Sequence, residues 1–402
     1  MRHFQKPENG AMNDNRATVA SRRWLSAATL ALAIACTPPA TQMGQVAPQQ
    51  LQEEQLKQQE LVISSEIAED QRLSNVAYPM LKAATPLCGK WVNTASGFTA
   101  INAFLYAKEY QPAARALGYG DTLTVATVTR GSTADRAGLM VGDKVVAVRG
   151  AAAPVGKTAI RDFMKSTGGV AAIRGDPVLV GTPVELTVLR AADSTGGARQ
   201  LSVSIAPDTL CSYVTSAAKS EVLNAWADGR RITVTTAMMR FAGSDDELAV
   251  VVSHELAHNA MRHMDAKKKN ATFGAILGGA LDVAAASQGV NTGGGFSKSG
   301  AEVGASSYSQ DFEREADYVG MYILARAGRP YADAPNFWRR MGQESPGSIR
   351  YASTHPTSAE RFIRLDRTVA EIKAKVAAGA PLLPEAKAPG TQQPDSLHAS
   401  KP

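Results

Sequence analysis

The sequence predicts an α+β protein in which a mainly helical region with a small sheet is interrupted by a β-rich segment. Two observations carry this prediction. Residues from Gln52 to Ala84 and most residues after Cys211 have the composition of helices. Between them, short runs of alternating apolar and polar residues are typical of strands. The chain has 402 residues, which is enough for two or three domains of about 150 residues each.

The composition excludes several classes of protein. Hydrophobic residues make up 44% and charged residues 20%, as in globular rather than disordered chains. The formal net charge of +6, half of it within residues 1–36, is too small to indicate a nucleic-acid-binding surface. The three cysteines lack the CxxC spacing of zinc fingers and redox sites. No apolar run reaches the roughly 18 residues of a membrane span, so we expect no transmembrane helix.

The N-terminus has the pattern of a secretory signal. Ser21-Arg22-Arg23 precedes an uncharged, Ala- and Leu-rich stretch that ends at Cys36. Leu32 to Cys36 resembles a bacterial lipobox, which implies that Cys36 is lipidated and anchors the mature protein; the alternative is a plain signal peptide. By the same resemblance, Thr37 after the cysteine favours the outer membrane. The remaining cysteines, Cys88 and Cys211, could form a disulfide or stay two buried thiols.

The pattern also divides the chain into segments. In order, we expect a signal peptide with lipobox over 1–36, a flexible tether over 37–60, an N-terminal helical part of the main domain over 61–95, a β-rich domain over 96–208, the rest of the main domain over 209–376, and a disordered tail over 377–402. Within the main domain the pattern predicts a helix over 212–226, a strand over 231–236, a mobile loop over 267–309 that could hold a short helix and act as a lid, and helices over 310–327 and 356–375.

The β-rich domain carries a recognisable stretch. Residues 130–144, which include Gly131-Ser132, Ala137-Gly138-Leu139 and Gly142-Asp143, resemble the PDZ domains of bacterial envelope proteases. The resemblance implies that an extended peptide adds as a strand beside a groove helix over 158–164. It also implies that a loop receives the chain terminus of the peptide, formed here by Leu117, Gly118, Tyr119 and Gly120. The alternative is a small β-domain that serves as a spacer.

The strongest chemical signal is an HExxH motif. Ser244 and Glu247 form a capping box that begins a helix carrying His254, Glu255 and His258. Residues four apart lie on one face of a helix, so both imidazoles can bind one metal ion. Glu255 points about 100° away from His254, which places its carboxylate where it can take a proton from a bound water.

A tetrahedral zinc site requires a third protein ligand. On a second predicted helix Glu313 and Asp317 are four apart, so Glu313 could complete a His₂Glu set while Asp317 hydrogen-bonds a ligating histidine. The metzincin pattern HExxHxxGxxH fails, because Met261 replaces its glycine and Met264 its third histidine. His263, one position early, is expected to be exposed.

These motifs together resemble peptidase family M48, a family of gluzincin metallopeptidases. The resemblance covers about residues 66–95 and 211–370 and rests on five motifs in order: Asn224-Ala225-Trp226, Ile232-Thr233-Val234, Asp246 to His258, Glu313 to Gly320, and Ser353 to Arg361. It implies a zincin-like fold and one Zn²⁺ per subunit, held by His254, His258 and Glu313. It further implies Glu255 as general base, His355 as an oxyanion stabiliser or gating ligand with Arg361 nearby, and residues 232–235 as an edge strand along which substrate lies.

The function predicted from these features is a zinc-dependent endopeptidase of the bacterial cell envelope. Its partners would be misfolded or assembling periplasmic or outer-membrane proteins, with the membrane reached through lipid on Cys36 and with no nucleic acid. The sequence predicts no oligomeric state. One alternative is an envelope chaperone in which peptide binding dominates. Another is a latent zinc protein held shut by His355.

Overall fold

The computed structural model describes residues 44–167, 183–192, 197–306, 309–344 and 359–386. The chain divides into two compact units, residues 1–54 and 55–402. Of the first unit the structure describes residues 44–54, so the predicted signal peptide and Cys36 lie outside the described residues. Among the helices that are described, none combines the length and the apolar character required to cross a bilayer.

The elements follow one another in a mixed order. The helices are α1 (Pro48–Ala83), α2 (Gln111–Ala116), α3 (Thr133–Arg136), α4 (Ala159–Thr167), α5 (Thr236–Phe241), α6 (Asp245–Ala260), α7 (His263–Ser287), α8 (Gly295–Ser306), α9 (Ser309–Arg326), α10 (Ala334–Glu344) and α11 (Ala359–Ala377), with 3₁₀ turns at Thr85–Leu87, Ala103–Leu105 and Lys108–Tyr110. The strands are β1 (Val92–Ala95), β2 (Phe98–Ile101), β3 (Thr124–Val128), β4 (Lys144–Val148), β5 (Ala151–Ala152), β6 (Val184–Arg190), β7 (Arg199–Ile205), β8 (Asp208–Cys211), β9 (Val214–Ala218), β10 (Ala225–Ala227) and β11 (Arg231–Thr235).

Residues 98–205, the sheet region, form a six-stranded antiparallel sheet with its own core. The strand order is β2-β3-β4-β6-β7, with β5 paired to β4. The alternation predicted from the sequence is seen in β6, where Val184, Leu186 and Val188 are buried. Helix α4 covers the sheet through Phe163, whose ring packs edge-on against Phe98 at 6.4 Å. The β-rich character predicted for this region is confirmed, and the PDZ-like assignment stays a prediction.

The remaining elements build the main domain around two small sheets. Strands β1 and β8 pair antiparallel, and β11 lies between β10, antiparallel to it, and β9, parallel to it. The helix predicted over 212–226 is therefore wrong: residues 214–218 pair with β11, and this pairing outweighs the weak helix propensity of the segment. The predicted edge strand over 232–235 is also wrong, because β11 is the central strand and β10 and β9 are the edges.

Three segments are more ordered than the sequence suggests. Residues 48–60 of the predicted tether lie in α1. Most of the mobile loop predicted over 267–309 forms helices α7 and α8. At the start of the predicted tail, Leu382 packs against the main core and its carbonyl accepts a hydrogen bond from Arg326. The loop and tail predictions were based on small and Pro-rich composition, which does not exclude packing against a preformed surface.

Cys88 and Cys211 form a disulfide, with 5.8 Å between their Cα atoms. The bridge closes a loop with a sequence separation of 123 residues that contains the whole sheet region. In the chain-entropy model a loop of this size stabilises the folded state by about 4–5 kcal/mol.

Reduction of this bridge is expected to lower the midpoint of denaturant unfolding substantially. Unfolding in guanidinium chloride, followed by circular dichroism with and without reductant, measures the effect. The matched control is the double variant Cys88→Ser, Cys211→Ser, whose midpoint should resemble the reduced protein and should not respond to reductant. An unchanged midpoint on reduction of the parent protein would contradict the prediction.

Candidate active site

Helix α6 brings the HExxH residues into the core. The Ser244 hydroxyl accepts a hydrogen bond from the Glu247 backbone N–H at 3.2 Å, and the Glu247 carboxylate accepts one from the Gly243 N–H at 2.8 Å, which fixes the start of the helix. Residues 248–260 are buried throughout. His254, Glu255 and His258 therefore lie in an environment where polar side chains require partners.

Helix α9 crosses α6 at close range because of a glycine. A Cβ atom on Gly320 would lie 3.2 Å from the backbone N and Cα of His254, tighter than most real contacts. Glu313 and Asp317 precede Gly320 on the same face of α9, at the spacing of successive turns. The absence of a side chain at Gly320 thus allows α9 to bring both carboxylates to the histidines.

The three predicted ligands meet at one point. The Nε2 atoms of His254 and His258 are 3.2 Å apart, and the Glu313 carboxylate lies 3.3 Å from the first and 3.4 Å from the second. Ligands about 2.0–2.1 Å from a tetrahedral zinc ion are separated by about 3.3 Å. The donor set, two imidazoles and a carboxylate, and its spacing both fit such an ion, and no other group of this kind occurs among the described residues.

The second ring nitrogen of His254, Nδ1, contacts the ion pair between Asp317 and Arg361. This nitrogen lies 3.0 Å from the Asp317 carboxylate, which also accepts two hydrogen bonds from Arg361, each 2.8 Å long. The Arg361 guanidinium in turn packs over the Trp338 ring, with 4.1 Å to the ring centroid. Burial alone would raise the pKa of Asp317, but the charges of Arg361 and His254 outweigh it and lower that pKa below its ordinary value. Asp317 is thus kept as an anion that orients the imidazole.

The two ligand histidines differ in their ionisation. Burial alone would lower the pKa of His254, but hydrogen bonds to Asp317 and Glu313 raise it above its ordinary value. For His258, burial dominates and holds the pKa below its ordinary value. The surroundings thus favour the protonated form of the His254 ring and the neutral form of the His258 ring. A metal ion that binds to both rings competes with the proton that His254 favours.

His258 has a support that the sequence did not reveal. Its Nδ1 lies 2.9 Å from Nδ1 of His263, and the other ring nitrogen of His263 lies 3.0 Å from the Glu315 carboxylate. The expectation that His263 is exposed is wrong: its side chain is 1% exposed and stacks on the Phe312 ring. His263 begins α7 after Arg262, whose left-handed backbone turns the chain at this point. Extending helix α6 beyond Arg262 therefore gives the wrong orientation for the His263 side chain.

Loss of the His263 ring should weaken metal binding. For His263→Ala we expect a metal affinity about 10–100-fold below that of the parent protein, because His258 loses the partner that fixes its orientation. Competition with a chelator of known affinity measures this directly. Glu315→Ala, at an exposed carboxylate where no cavity arises, should give a smaller loss. Asp265→Asn, which alters the ion pair with Arg262, should give none. Equal affinities in all four proteins would contradict the role assigned to His263.

The other predicted site residues fall into three groups. Glu255 is buried on α6 and is close enough to contribute to the electrostatic environment of His258. Arg361 contacts Asp317 rather than any ligand. His355 lies outside the described residues. The motifs of the sequence do not mark Trp338 or His263 as part of the site, and no local pattern marks Trp338, which comes from α10.

The predicted peptide-binding loop lies in the sheet region, after helix α2. The backbone N–H groups of Leu117, Gly118, Tyr119 and Gly120 all donate to carbonyls of residues 113–118. Tyr119 is buried in a small cluster with Ile63 of α1. In this conformation the loop amides are already used within the chain, so a role in binding a carboxylate requires the loop to rearrange. The role stays a prediction.

Several known proteins are similar to about a third of this chain. The beta-barrel assembly-enhancing protease of Yersinia pestis is 31% identical over 144 residues, which are 34% of this chain and 29% of the relative. Mitochondrial metalloendopeptidase OMA1 is 27% identical over 148 residues in Saccharomyces cerevisiae, or 35% of this chain and 41% of the relative. In Arabidopsis thaliana it is 33% identical over 133 residues, or 33% and 26%. The chain thus spans well under half the length of these relatives.

A family model agrees with these relatives. Residues 197–369, somewhat less than half of the chain, match the model of Peptidase family M48. The match includes the HExxH helix and the helix that carries Glu313. The names of the relatives are those of proteases, which favours a protease over a chaperone. The chain therefore contains a metallopeptidase domain, and residues 197–369 match peptidase family M48.

Proposed function

We propose that the chain is a zinc-dependent endopeptidase of the bacterial cell envelope that cleaves misfolded or assembling periplasmic or outer-membrane proteins. The observation that carries this proposal is the buried cluster of His254, His258 and Glu313, whose donor atoms lie 3.2–3.4 Å apart. The outer partners Asp317 and His263 add support, because ligating histidines are commonly oriented through their second ring nitrogen.

The chain supplies the groups that such a reaction requires. A zinc ion held by the three ligands would supply a Lewis acid that lowers the pKa of a water molecule to about 7. Glu255, one residue after a ligand on the same helix, takes the proton of the attacking water and returns it to the departing amine. His355 would stabilise the oxygen of the tetrahedral intermediate.

An extended substrate would lie along an edge of the three-stranded sheet. Strand β11 is unsuitable since both its sides are paired, whereas β10 is an edge strand and packs against α6. Its Trp226 side chain is partly exposed. Strand addition at β10 would hold a peptide bond near the HExxH helix and would favour unfolded segments, whose backbone is free to pair. The sheet region would present or sense such segments.

The envelope location is supported by the disulfide. Bridges persist in oxidising compartments such as the bacterial periplasm, and Cys88–Cys211 joins the two parts of the main domain. Relatives from bacteria named beta-barrel assembly-enhancing proteases are consistent with it. Lipid on Cys36 would anchor the protein on the periplasmic side, most simply to the outer membrane.

Digestion of an unfolded protein such as reduced casein tests the activity. We expect cleavage by the purified protein, loss of cleavage after treatment with 1,10-phenanthroline, and recovery on addition of Zn²⁺ in slight excess. Metal analysis of the protein as purified should give about one zinc per chain. Cleavage that is unaffected by the chelator would overturn the proposal. So would a protein that holds one zinc per chain but cleaves no unfolded substrate.

A further inference from the structure

Helices α7 and α8 form an antiparallel hairpin that is packed through glycine. A Cβ atom on Gly274 would lie 2.0 Å from the Gly300 carbonyl oxygen, and one on Gly278 would lie 2.0 Å from that of Phe296. The backbones of the two helices therefore touch directly. Such contacts between small residues do not depend on the exclusion of water, so they persist equally well in a lipid environment.

One side of the hairpin is apolar and exposed. Phe273, Leu277 and Leu281 recur every four residues along α7. Together with Phe296 and Val303 of α8 they line one shallow groove that runs along the hairpin. Phe273 is 64% and Val303 66% exposed. We call these five residues the apolar face. Single exposed apolar residues are common on protein surfaces, but a contiguous group of them such as this one calls for an explanation.

The positive charges of the hairpin are concentrated at one end. Between Asn270 and Ser297 the single ionisable residue is Asp282, and its carboxylate accepts backbone hydrogen bonds from Phe296 and Ser297 at the start of α8. Immediately before this stretch come Lys267, Lys268 and Lys269. Helix α8 adds one cation and one anion, Lys298 and Glu302. The hairpin thus joins an apolar face with few charges around it to a cluster of cations at its base.

We propose that the hairpin binds the surface of a bilayer that contains anionic lipids. The apolar face would enter the boundary between headgroups and acyl chains, as amphipathic helices do. The three lysines at its base would lie against the anionic headgroups. This charge complementarity favours a lipid surface over a second copy of the chain, whose identical hairpin would bring the same cations together.

Binding of the hairpin to lipid would also determine where the active site lies relative to the membrane. Helix α7 begins at His263, which supports a ligand histidine, and α8 leads to α9, which carries Glu313. At 1.5 Å per residue, Phe273 is only about 15 Å along the helix from His263. Binding of the hairpin to lipid would hold the metal site close to the membrane surface. The proposal concerns binding alone and does not depend on the proposed peptidase activity.

A fluorescent label on the apolar face tests it. The full chain with Cys36→Ser and Leu277→Cys is labelled with an environment-sensitive dye at position 277 while the disulfide stays oxidised. We expect a blue shift with vesicles of phosphatidylethanolamine and phosphatidylglycerol and a much smaller one with phosphatidylcholine. The matched control carries the label at Lys298→Cys, on the opposite side of α8, and should shift little. A folding defect would appear as a changed circular dichroism spectrum.

The lysines are tested separately in the protein labelled at position 277. Substitution of Lys267, Lys268 and Lys269 by Gln should raise the lipid concentration at half-maximal shift on the order of 100-fold. The same change at the exposed Lys57, Lys144 and Lys373 should have little effect. The proposal is overturned by an absent shift at position 277 or by equal shifts at both labels. It is also overturned by a shift that depends on protein concentration without vesicles, which would indicate a second copy.

Discussion

Glu255→Gln is expected to abolish cleavage of an unfolded protein while leaving the metal content unchanged. The substitution keeps the size of the side chain but removes the group that can take a proton from water. General base catalysis contributes on the order of 10²–10⁴ to a rate, so cleavage should fall by at least that factor. Since Glu255 is not one of the three clustered donors, metal analysis should still give one ion per chain. Peptide release from casein, followed by fluorescence, measures the loss.

The appropriate control is a carboxylate outside the site. Glu302→Gln changes an exposed residue of α8 and should retain the parent rate. If Glu255→Gln cleaved at the parent rate, the base assignment would be wrong even though the metal site stayed intact. A variant that lost both activity and metal would instead indicate that burial of an uncharged amide disturbs α6, which the melting temperature would reveal.

The clustering of His254, His258 and Glu313 is predictable from the sequence in part, because it depends on local periodicity. His254 and His258 share a face of any helix, and so do Glu313 and Asp317. The capping box at Ser244 fixed where the first helix begins. What the sequence could not provide is the crossing of the two helices, which depends on the close approach permitted at Gly320. The family resemblance supplied that link.

The errors share a different cause. Residues 214–218 have helical composition yet pair with β11. The small residues of α7 and α8 favour a loop by composition, although they allow close helix packing. In both cases a tertiary contact overrides local propensity. The prediction that His263 is exposed assumes that helix α6 continues to it, whereas the chain turns at Arg262 before it. Such turns are not visible in residue spacing.

Glu313→Ala should remove metal binding, and with it both activity and the stability that the metal confers. With two imidazoles left, the affinity should fall by more than the 10–100-fold typical of losing an outer partner. At a metal concentration 100 times the parent Kd, binding stabilises the parent protein by about 2.7 kcal/mol. A variant whose Kd is 100-fold higher gains only about 0.4 kcal/mol at that concentration. The rise in melting temperature on adding Zn²⁺ should therefore almost vanish.

Asp311→Asn provides the matched comparison, since it alters an exposed carboxylate near the start of the same helix. It should keep the zinc-dependent rise in melting temperature and the parent rate of cleavage. Glu313→Gln distinguishes the effect of the lost charge from that of the lost side-chain volume, because it keeps the volume and removes the charge. A neutral amide is a poor metal ligand, so the metal affinity of this variant should resemble that of Glu313→Ala. A zinc-dependent rise of parental size in both Glu313 variants would mean that the ion is held elsewhere. The distances of 3.3 and 3.4 Å between Glu313 and the two rings would then reflect hydrogen bonding alone.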